Sequence, residues 1–463
     1  MAFAERAGGE HTGDTSSIKT VAAASFIGTT IEWYDFFLYG TAAALVFNEL
    51  FFPTFNPAAG TVAAFATFGV GFFARPFAGV VFGHFGDKVG RKAMLVTTLV
   101  LMGVATFVIG LLPTYASIGI MAPILLVLVR FIQGLGIGGE WGGAVLMSVE
   151  HSPPERRGFY GSWPQMGVPA GLLLSTAVFA AVQALTSDAA FLAWGWRIPF
   201  LVSIVLVGVG LFIRLKILES PSFQHVKDTG TAASTPIRDV LRRHPRRLLA
   251  AVGMRVAENV YFPLLTVFVL TYGVDEVGLA KGTLLTGIII SSALGLITIP
   301  LWAALSDRVG RRPVYLAGAI FSLVFIMPFF WLIDTGTPVL IWLALFLGVN
   351  VGHNLMYAPQ ATYFAELFPT RMRYSGVSLA YQVTAAFAGG LAPLIATLLL
   401  AANGGGPALV AAYAAATAAI TAVSAFLAPE TYRDAMDEEP ASDRRLFTRR
   451  PADAAVTEPV ARG

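Results

Sequence analysis

Gly83-His-Phe-Gly-Asp87-Lys88-Val-Gly90-Arg91-Lys92 and Ala303-Ala-Leu-Ser-Asp307-Arg308-Val-Gly310-Arg311-Arg312 stand 220 positions apart (307 − 87). They share the pattern G-x-x-x-D-[RK]-x-G-R-[RK], with Ala303 replacing the first glycine of the second copy. Each is a short polar turn between two long apolar runs. A looser pair, Glu150 through Arg157 and Glu366 through Arg373, recurs at an offset of 216 (366 − 150). Two different loop signatures returning at nearly one interval indicate two halves built on a common plan.

The runs around these loops are too long and too apolar for a soluble domain. Charged residues make up 13% of the 463 and hydrophobic ones 56%, against about 25% charged in an ordinary soluble chain. Twelve stretches are long enough to cross a hydrocarbon core, which takes about 20 residues: 20–47, 59–82, 93–112, 119–146, 159–185, 192–213, 248–272, 282–305, 313–333, 338–362, 375–400 and 407–428. Such runs satisfy their backbone groups in lipid as helices. The expected architecture is an all-α membrane protein of twelve transmembrane helices in two six-helix bundles, 20–213 and 248–429, joined by a basic linker at 214–247. Residues 1–19 and 430–463 are the expected cytoplasmic tails, the second without an apolar heptad and disordered. Of the 31 Lys and Arg residues, 26 fall in the tails, the linker and every second loop. By the positive-inside rule both termini then face the cytoplasm.

Met1 to Ser17 lacks the apolar core of a cleaved signal. With no cysteine, the chain has neither a disulfide framework nor a thiolate metal site. Within the linker, Ile237 to Leu249 holds five arginines among apolar residues. It reads either as a helix lying on the anionic inner leaflet or as a solvated charge run that enforces topology.

In the signature turn the glycines permit a tight reversal, and the charges have a separate task. Asp87 and Asp307 can each meet the N-terminus of a neighbouring helix, while the arginines reach carboxylates at the ends of other spans. Glu140 and Glu150 are the expected partners of Arg91 and Lys92, and Glu366 is that of Arg311 or Arg312. These are the expected gating residues, latching the cytoplasmic side when it is closed. The alternative is static loop structure carrying a topology signal.

The double pattern resembles the signature loop of the major facilitator superfamily. Three further stretches narrow the resemblance to its metabolite:proton symporter branch: Gly28-Thr-Thr-Ile-Glu-Trp-Tyr-Asp-Phe-Phe-Leu-Tyr-Gly40, Arg130-Phe-Ile-Gln-Gly-Leu-Gly-Ile-Gly-Gly-Glu-Trp-Gly-Gly-Ala144 and Trp194-Gly-Trp-Arg-Ile-Pro-Phe200. The resemblance implies secondary active transport by rocking of two bundles. The branch is known for uptake of α-ketoglutarate, citrate, shikimate, and proline with betaine, each with protons. Its osmosensing proline/betaine members end in a long coiled coil, a feature that residues 432–463 do not show.

Ionisable groups at bilayer depth mark functional sites, and here they gather on four spans. Span 1 carries Glu32 and Asp35; span 4, Arg130 and Gln133; span 7, Arg255, Glu258 and Asn259; span 10, Asn350, His353 and Asn354. Spans 1 and 7, and 4 and 10, correspond in the repeat, and the resemblance implies that all four line a central cavity. Residues three and four apart share a helix face. That spacing joins Asp35 to Tyr39, Arg255 to Glu258, Asn259 and Phe262, and Asn350 to His353, Asn354 and Tyr357. A polar stripe flanked by an aromatic suits a small, partly planar polar solute.

The expected substrate-binding residues are therefore Arg130, Gln133, Tyr39, Arg255, Asn259, Asn350, Asn354 and Tyr357. The expected proton carriers are Asp35, Glu32, Glu258 and His353, with Asp35 preferred. Arg130 is expected to pair with Glu32 or Asp35 until protonation frees it for a substrate carboxylate, and Arg75 is expected to be structural. Taken singly, each of these residues also fits a satisfied helix-to-helix hydrogen bond.

These readings converge on a proton-coupled symporter for a small carboxylate-bearing or zwitterionic solute in the cytoplasmic membrane. It is expected to work as a monomer, with no cofactor beyond the coupling proton, no metal and no nucleic-acid partner. An exporter or antiporter of the same fold, and a transporter-like solute sensor, stay open as alternatives. No nucleophile constellation, Walker loop or metal-spaced histidine pair points to an enzyme.

Overall fold

The computed structural model describes residues 17–54, 57–229 and 235–433; the tail beyond 433, for which disorder is expected, lies outside the described residues. Among the described residues twelve long helices follow one another. The first bundle holds α1 (Ile18–Ala42, carried on through Phe51), α2 (Pro57–Val89), α3 (Arg91–Leu111), α4 (Met121–Glu150), α5 (Pro154–Leu185) and α6 (Arg197–Leu215). The second holds α7 (Pro245–Glu276), α8 (Lys281–Val309), α9 (Arg311–Asp334), α10 (Pro338–Leu367), α11 (Thr370–Ala402) and α12 (Ala408–Leu427). Helices α3 to α12 are long and apolar enough to cross a membrane on length and composition. α1, with Glu32 and Asp35 well inside it, and α2 complete the twelve. Side chains such as Val205, Val324 and Phe426 stay exposed on the outer surface, as a lipid-solvated bundle allows.

The two halves meet along α2 against α11 and along α5 against α8. Gly90 (φ 126°) and Gly310 (φ 108°) alone separate α2 from α3 and α8 from α9. Any side chain there would be strained, and it would also collide with the carboxylates of Glu219 and Glu430, which close in on the same two points. Several helices widen to π turns, among them α10 over Leu347–His353, α7 over Leu264–Phe268 and α11 over Ala385–Gly389. Such turns recur at functional sites, and the one in α10 carries Asn350 and His353.

The linker folds as two short helices, Pro221–Asp228 and Pro236–Arg243. The stretch 237–249 is therefore not one helix. His244 leaves helical geometry (φ −129°, ψ 40°) and Pro245 opens α7. Proline crowds the residue before it out of the helical region and itself fits the first helical position.

Close approach of α2 and α4 depends on small residues. A Cβ at Gly134 would stand 2.5 Å from the Gly71 carbonyl oxygen, whereas one at Gly208 would meet nothing within 4 Å. Overpacking of this kind costs about 1–3 kcal/mol. Gly134→Ala is thus expected to lower the melting temperature of the detergent-solubilised protein, and Gly208→Ala to leave it unchanged; equal melting of the two would contradict the tight α2–α4 contact.

Candidate functional site

At the end of the molecule that carries the linker, each signature aspartate reaches across to a helix start in the other half. Asp87 accepts hydrogen bonds from Tyr374 N (3.2 Å) and Ser375 N (2.9 Å), where the regular helix of α11 begins at Arg373. Asp307 accepts from Gly158 N (2.7 Å) and Phe159 N (2.8 Å), at the matching point of α5. First-turn N–H groups have no acceptor within their own helix, and the helix dipole favours a carboxylate there. An N-cap interaction is typically worth about 1 kcal/mol. The two reciprocal caps close this end of the molecule.

Ion pairs reinforce them. Glu150 takes Arg373 Nη1 at 2.9 Å and faces Arg91 Nε at 3.6 Å, with the Ser220 hydroxyl as a further donor. In the second half Arg311 joins Asp307 (2.6 Å) and Glu366 (3.2 Å). Two expected partnerships do not form. Glu140 stands ten residues before Glu150, about 15 Å along the helix, too deep to meet Arg91 or Lys92; it pairs with Arg214 of α6 and accepts from Thr98 (3.1 Å). Lys92 donates instead to the Leu215 carbonyl (2.9 Å). Of the two candidates for Glu366, Arg312 lies over the Phe426 ring (4.8 Å), leaving the pairing to Arg311.

Two carboxylates missed by the sequence reading belong to the same assembly. Glu219 accepts from the backbone N–H groups of Arg91 (3.1 Å) and Lys92 (3.1 Å), and Glu430 from those of Arg311 (2.9 Å) and Arg312 (3.0 Å). They cap α3 and α9 identically in the two halves. Their signal in the sequence is an acid followed by a hydroxyl after the sixth and twelfth spans, Glu219-Ser220 and Glu430-Thr431.

Deeper in the first bundle, Asp35 and Glu32 are buried. Neither carboxyl oxygen of Asp35 has a hydrogen-bond partner among the described residues, nor does one oxygen of Glu32. The expected pairing of Arg130 with one of them is not seen. Its Nη1 donates to Gln133, whose Nε2 donates to Thr106 (2.7 Å). The guanidinium packs over the rings of Tyr39 (4.2 Å) and Phe36 (5.4 Å), with Asp35 as an electrostatic neighbour. Tyr39 shares a hydrogen bond with Thr67 (2.6 Å).

Arg75 is expected to be structural, and its surroundings are unlike those of the other buried arginines. It sits halfway along α2, caged by Phe72 (4.5 Å), Phe36 (5.0 Å) and Trp33 (5.9 Å). It is buried, and its Nε and Nη2 have no hydrogen-bond partner among the described residues. Glu32 of its own half, and Tyr381 and Arg255 of the other, are its electrostatic neighbours. It thus stands where the two halves face each other. The pattern Phe72-Phe-Ala-Arg75, set against Trp33 and Phe36 at i, i+3, was the available signal.

The second bundle is wired differently. Arg255 pairs with Glu258 (2.9 Å), donates to Gln360 (2.7 Å) and to the Tyr381 carbonyl (3.1 Å), and stacks on the Tyr381 ring. Asn259 Nδ2 also donates to Glu258 (3.0 Å). Hydrogen-bond directions can be followed from a fixed point, the Ser291 carbonyl, which accepts from Asn350 Nδ2 (3.1 Å). Asn350 Oδ1 is then an acceptor for Asn354 Nδ2 (3.2 Å), and Asn354 Oδ1 faces His353 Nδ1 (2.9 Å). Nδ1 must therefore carry a hydrogen. His353 Nε2 faces Glu258 Oε1 at 3.3 Å. Tyr357 stacks on His353 (5.0 Å). Between the halves, Trp141 stacks on Tyr381 (3.5 Å), and Gln165 donates to the Tyr357 carbonyl (2.9 Å).

A fold of two six-helix bundles, joined at one end by reciprocal aspartate caps and holding buried charge between them, is that of a membrane transporter. The family model described as Major Facilitator Superfamily matches residues 25–393, and the chain belongs to that superfamily. It is 43% identical over 428 residues to the shikimate transporter of Escherichia coli K12, covering 92% of this chain and 97% of that one. Its identity to the proline/betaine transporter of the same organism is 35% over 399 residues, covering 84% of this chain and 79% of the other. Among solved structures, the proton:xylose symporter XylE bound to 6-bromo-6-deoxy-D-glucose superposes with a TM-score of 0.71 at 17% identity, covering 91% of this chain and 98% of that chain.

Asp87→Asn and Asp307→Asn each replace one acceptor oxygen by a donor that faces a backbone N–H, so each cap keeps one of its two bonds and loses the carboxylate charge. Either change is expected to slow turnover several-fold while leaving substrate affinity within about threefold, since a typical cap is worth about 1 kcal/mol. Labelling of the linker-side cavity should accelerate in parallel. Unaltered turnover and labelling in both variants would reduce the caps to static structure.

Proposed function

We propose that the chain takes up a small carboxylate-bearing metabolite together with a proton, by alternating access between its two bundles. Secondary transport of small metabolites is the function its family and relatives support. The carrying observation for the finer reading is the unmatched pair of chemistries among the buried groups: the open donors of Arg75 beside the Glu32 carboxyl, and, three residues further along α1, an Asp35 carboxyl with no hydrogen bond among the described residues. A guanidinium with free N–H groups in an aromatic, water-poor cage is a receptor for a planar carboxylate, which it can take with two parallel bonds. Shikimate, proline and betaine, the named solutes of the relatives, each carry one carboxylate, which supports this choice. Arg130, Gln133, Tyr39, Arg255, Asn259, Asn350, Asn354 and Tyr357 complete the pocket in this reading.

Asp35 takes the coupling proton. An ionised carboxylate without donors is costly in such a site, so Asp35 is protonated or gains a partner each time the cavity reorients. Glu32 balances Arg75, and the Glu258–His353 pair, in the wall of the pocket, is the alternative coupling site. The linker, with both termini, lies on the cytoplasmic side, in line with the distribution of basic residues. The described state is then the one closed toward the cytoplasm, with Asp87, Arg91, Glu150, Asp307, Arg311 and Glu366 as its gate and Glu219 and Glu430 as supports.

Asp35→Asn is expected to abolish accumulation driven by a pH gradient while preserving exchange of labelled substrate at equal concentrations, because exchange needs reorientation but no net proton release. Accumulation surviving in the asparagine variants of both Asp35 and Glu32 would move the coupling site to Glu258 and His353. Arg75→Lys should raise the KM for substrate by about tenfold or more, the cost of losing a charge-assisted bond. A wild-type KM in that variant would remove Arg75 from the binding site.

A further inference from the structure

We propose that the linker helix Pro236–Arg243 and the end of α2 form a binding site for the headgroup of one anionic phospholipid, and that its occupancy braces the gate closed. A cavity of about 380 Å³ lies between them, lined by His84, Thr235, Ile237, Arg238, Leu241 and Arg242. Arg238 and Arg242 stand one helical turn apart and exposed, with no ion pair among the described residues, whereas Arg243 is occupied by Asp239 (3.3 Å). The lining of the cavity is mainly apolar, and the residues around it carry two guanidinium forks, a threonine hydroxyl and an imidazole that can take a phosphodiester at its mouth. The remaining walls, Ile237 and the half-exposed Leu241, are apolar, and Phe85 next to His84 is likewise half exposed. A soluble anion gains nothing from these walls, whereas a lipid can lay its glycerol and first methylenes on them.

The position of this site gives it a consequence. Val240 and Pro236 are buried beneath the helix and fix it in place. The helix packs on α2, on the start of α11 and on the start of α7, so it touches both partners of the Asp87 cap. A headgroup wedged between the helix and α2 ties the linker to that closed junction. When the linker end opens, α2 and α11 separate and the cavity loses a wall. The inference rests on the cytoplasmic placement of the linker proposed above, since it needs an anionic leaflet.

The chain has no cysteine, so a single Ser378→Cys reporter, buried at the junction of α11 with α2 and α4, reads opening of the gate without substrate or proton gradient. In nanodiscs of phosphatidylcholine, adding phosphatidylglycerol should slow maleimide labelling of this cysteine. The effect should fall about fivefold for each arginine lost in Arg238→Gln and Arg242→Gln, at about one charge-lipid contact each, and Arg243→Gln should retain it. Basal labelling in pure phosphatidylcholine should be the same in all three variants. Labelling that ignores phosphatidylglycerol, or that stays lipid-sensitive in the Arg238→Gln/Arg242→Gln double variant, would overturn the site. Equal slowing by millimolar inorganic phosphate would overturn the lipid assignment in favour of a soluble anion. Because the assay contains no transported solute, a failure here is separable from a failure of the symport reading.

Discussion

A charge held away from water must be met by an opposite charge or by oriented donors, and at the linker end of this protein the partners come from the other half of the molecule. Asp87 is satisfied by α11, Asp307 by α5, and Glu150 by Arg373 as well as Arg91. Water can meet the same groups when the halves part. Closed and open arrangements therefore each satisfy the charges in full, by protein in one case and by solvent in the other. That is the condition for two states of similar free energy with few satisfied arrangements between them, and it is what an alternating gate requires.

The repeat is not carried through evenly. Caps by Glu219 and Glu430, and by Asp87 and Asp307, are matched pair for pair. The ion pairs are matched less closely: Glu150 pairs with Arg373 of the other half and faces Arg91, while Glu366 pairs with Arg311 and has Arg157 of the other half as an electrostatic neighbour. The buried polar clusters differ more. In the second bundle Arg255, Glu258, His353, Asn354 and Asn350 form one unbroken chain of bonds. A fully bonded network is rigid, which makes this bundle the fixed wall of the cavity. In the first bundle Asp35, Glu32 and Arg75 keep open bonding capacity among the described residues, and the proposed symport uses that capacity for solute and proton.

How much of this was legible in the sequence follows from what sets each feature. Span count and the two-bundle plan rest on apolar run length and on loop motifs, both local, and both could be read directly. The aspartates of the signature turns could be assigned a helix start as partner because a dipole and a carboxylate attract whatever the helix. The identity of a side chain's partner is another matter, since it depends on depth. Glu140 and Glu150 differ by ten residues of one helix, and that distance alone sends the first to Arg214 and the second to the gate. The surroundings of Arg75 were not legible because the rings that cage it come from two helices, and no single run of sequence brings Trp33 and Phe36 to the same guanidinium as Phe72. The linker helix was drawn too long for a simpler reason: the arginine pattern ran through Pro245, and the proline outranks the pattern.

In the symport proposed above, the coupling of proton to solute follows from a balance of formal charge. Deep between the bundles lie three buried cations, Arg75, Arg130 and Arg255, and three buried acids, Glu32, Asp35 and Glu258; Glu140 and Arg214 cancel each other separately. With all six ionised the cluster is neutral. A solute that brings one carboxylate and no cation leaves it with one excess negative charge, at a depth where an uncompensated charge is expensive. One proton restores neutrality, and Asp35 is the acid with no donor to lose by accepting it. A zwitterion brings no net charge, so for it the balance demands no proton unless its carboxylate draws Arg75 away from Glu32. Displacement of that neighbour then recreates the same excess on Glu32, which makes the contact between Arg75 and Glu32 the point at which either class of solute would command a proton.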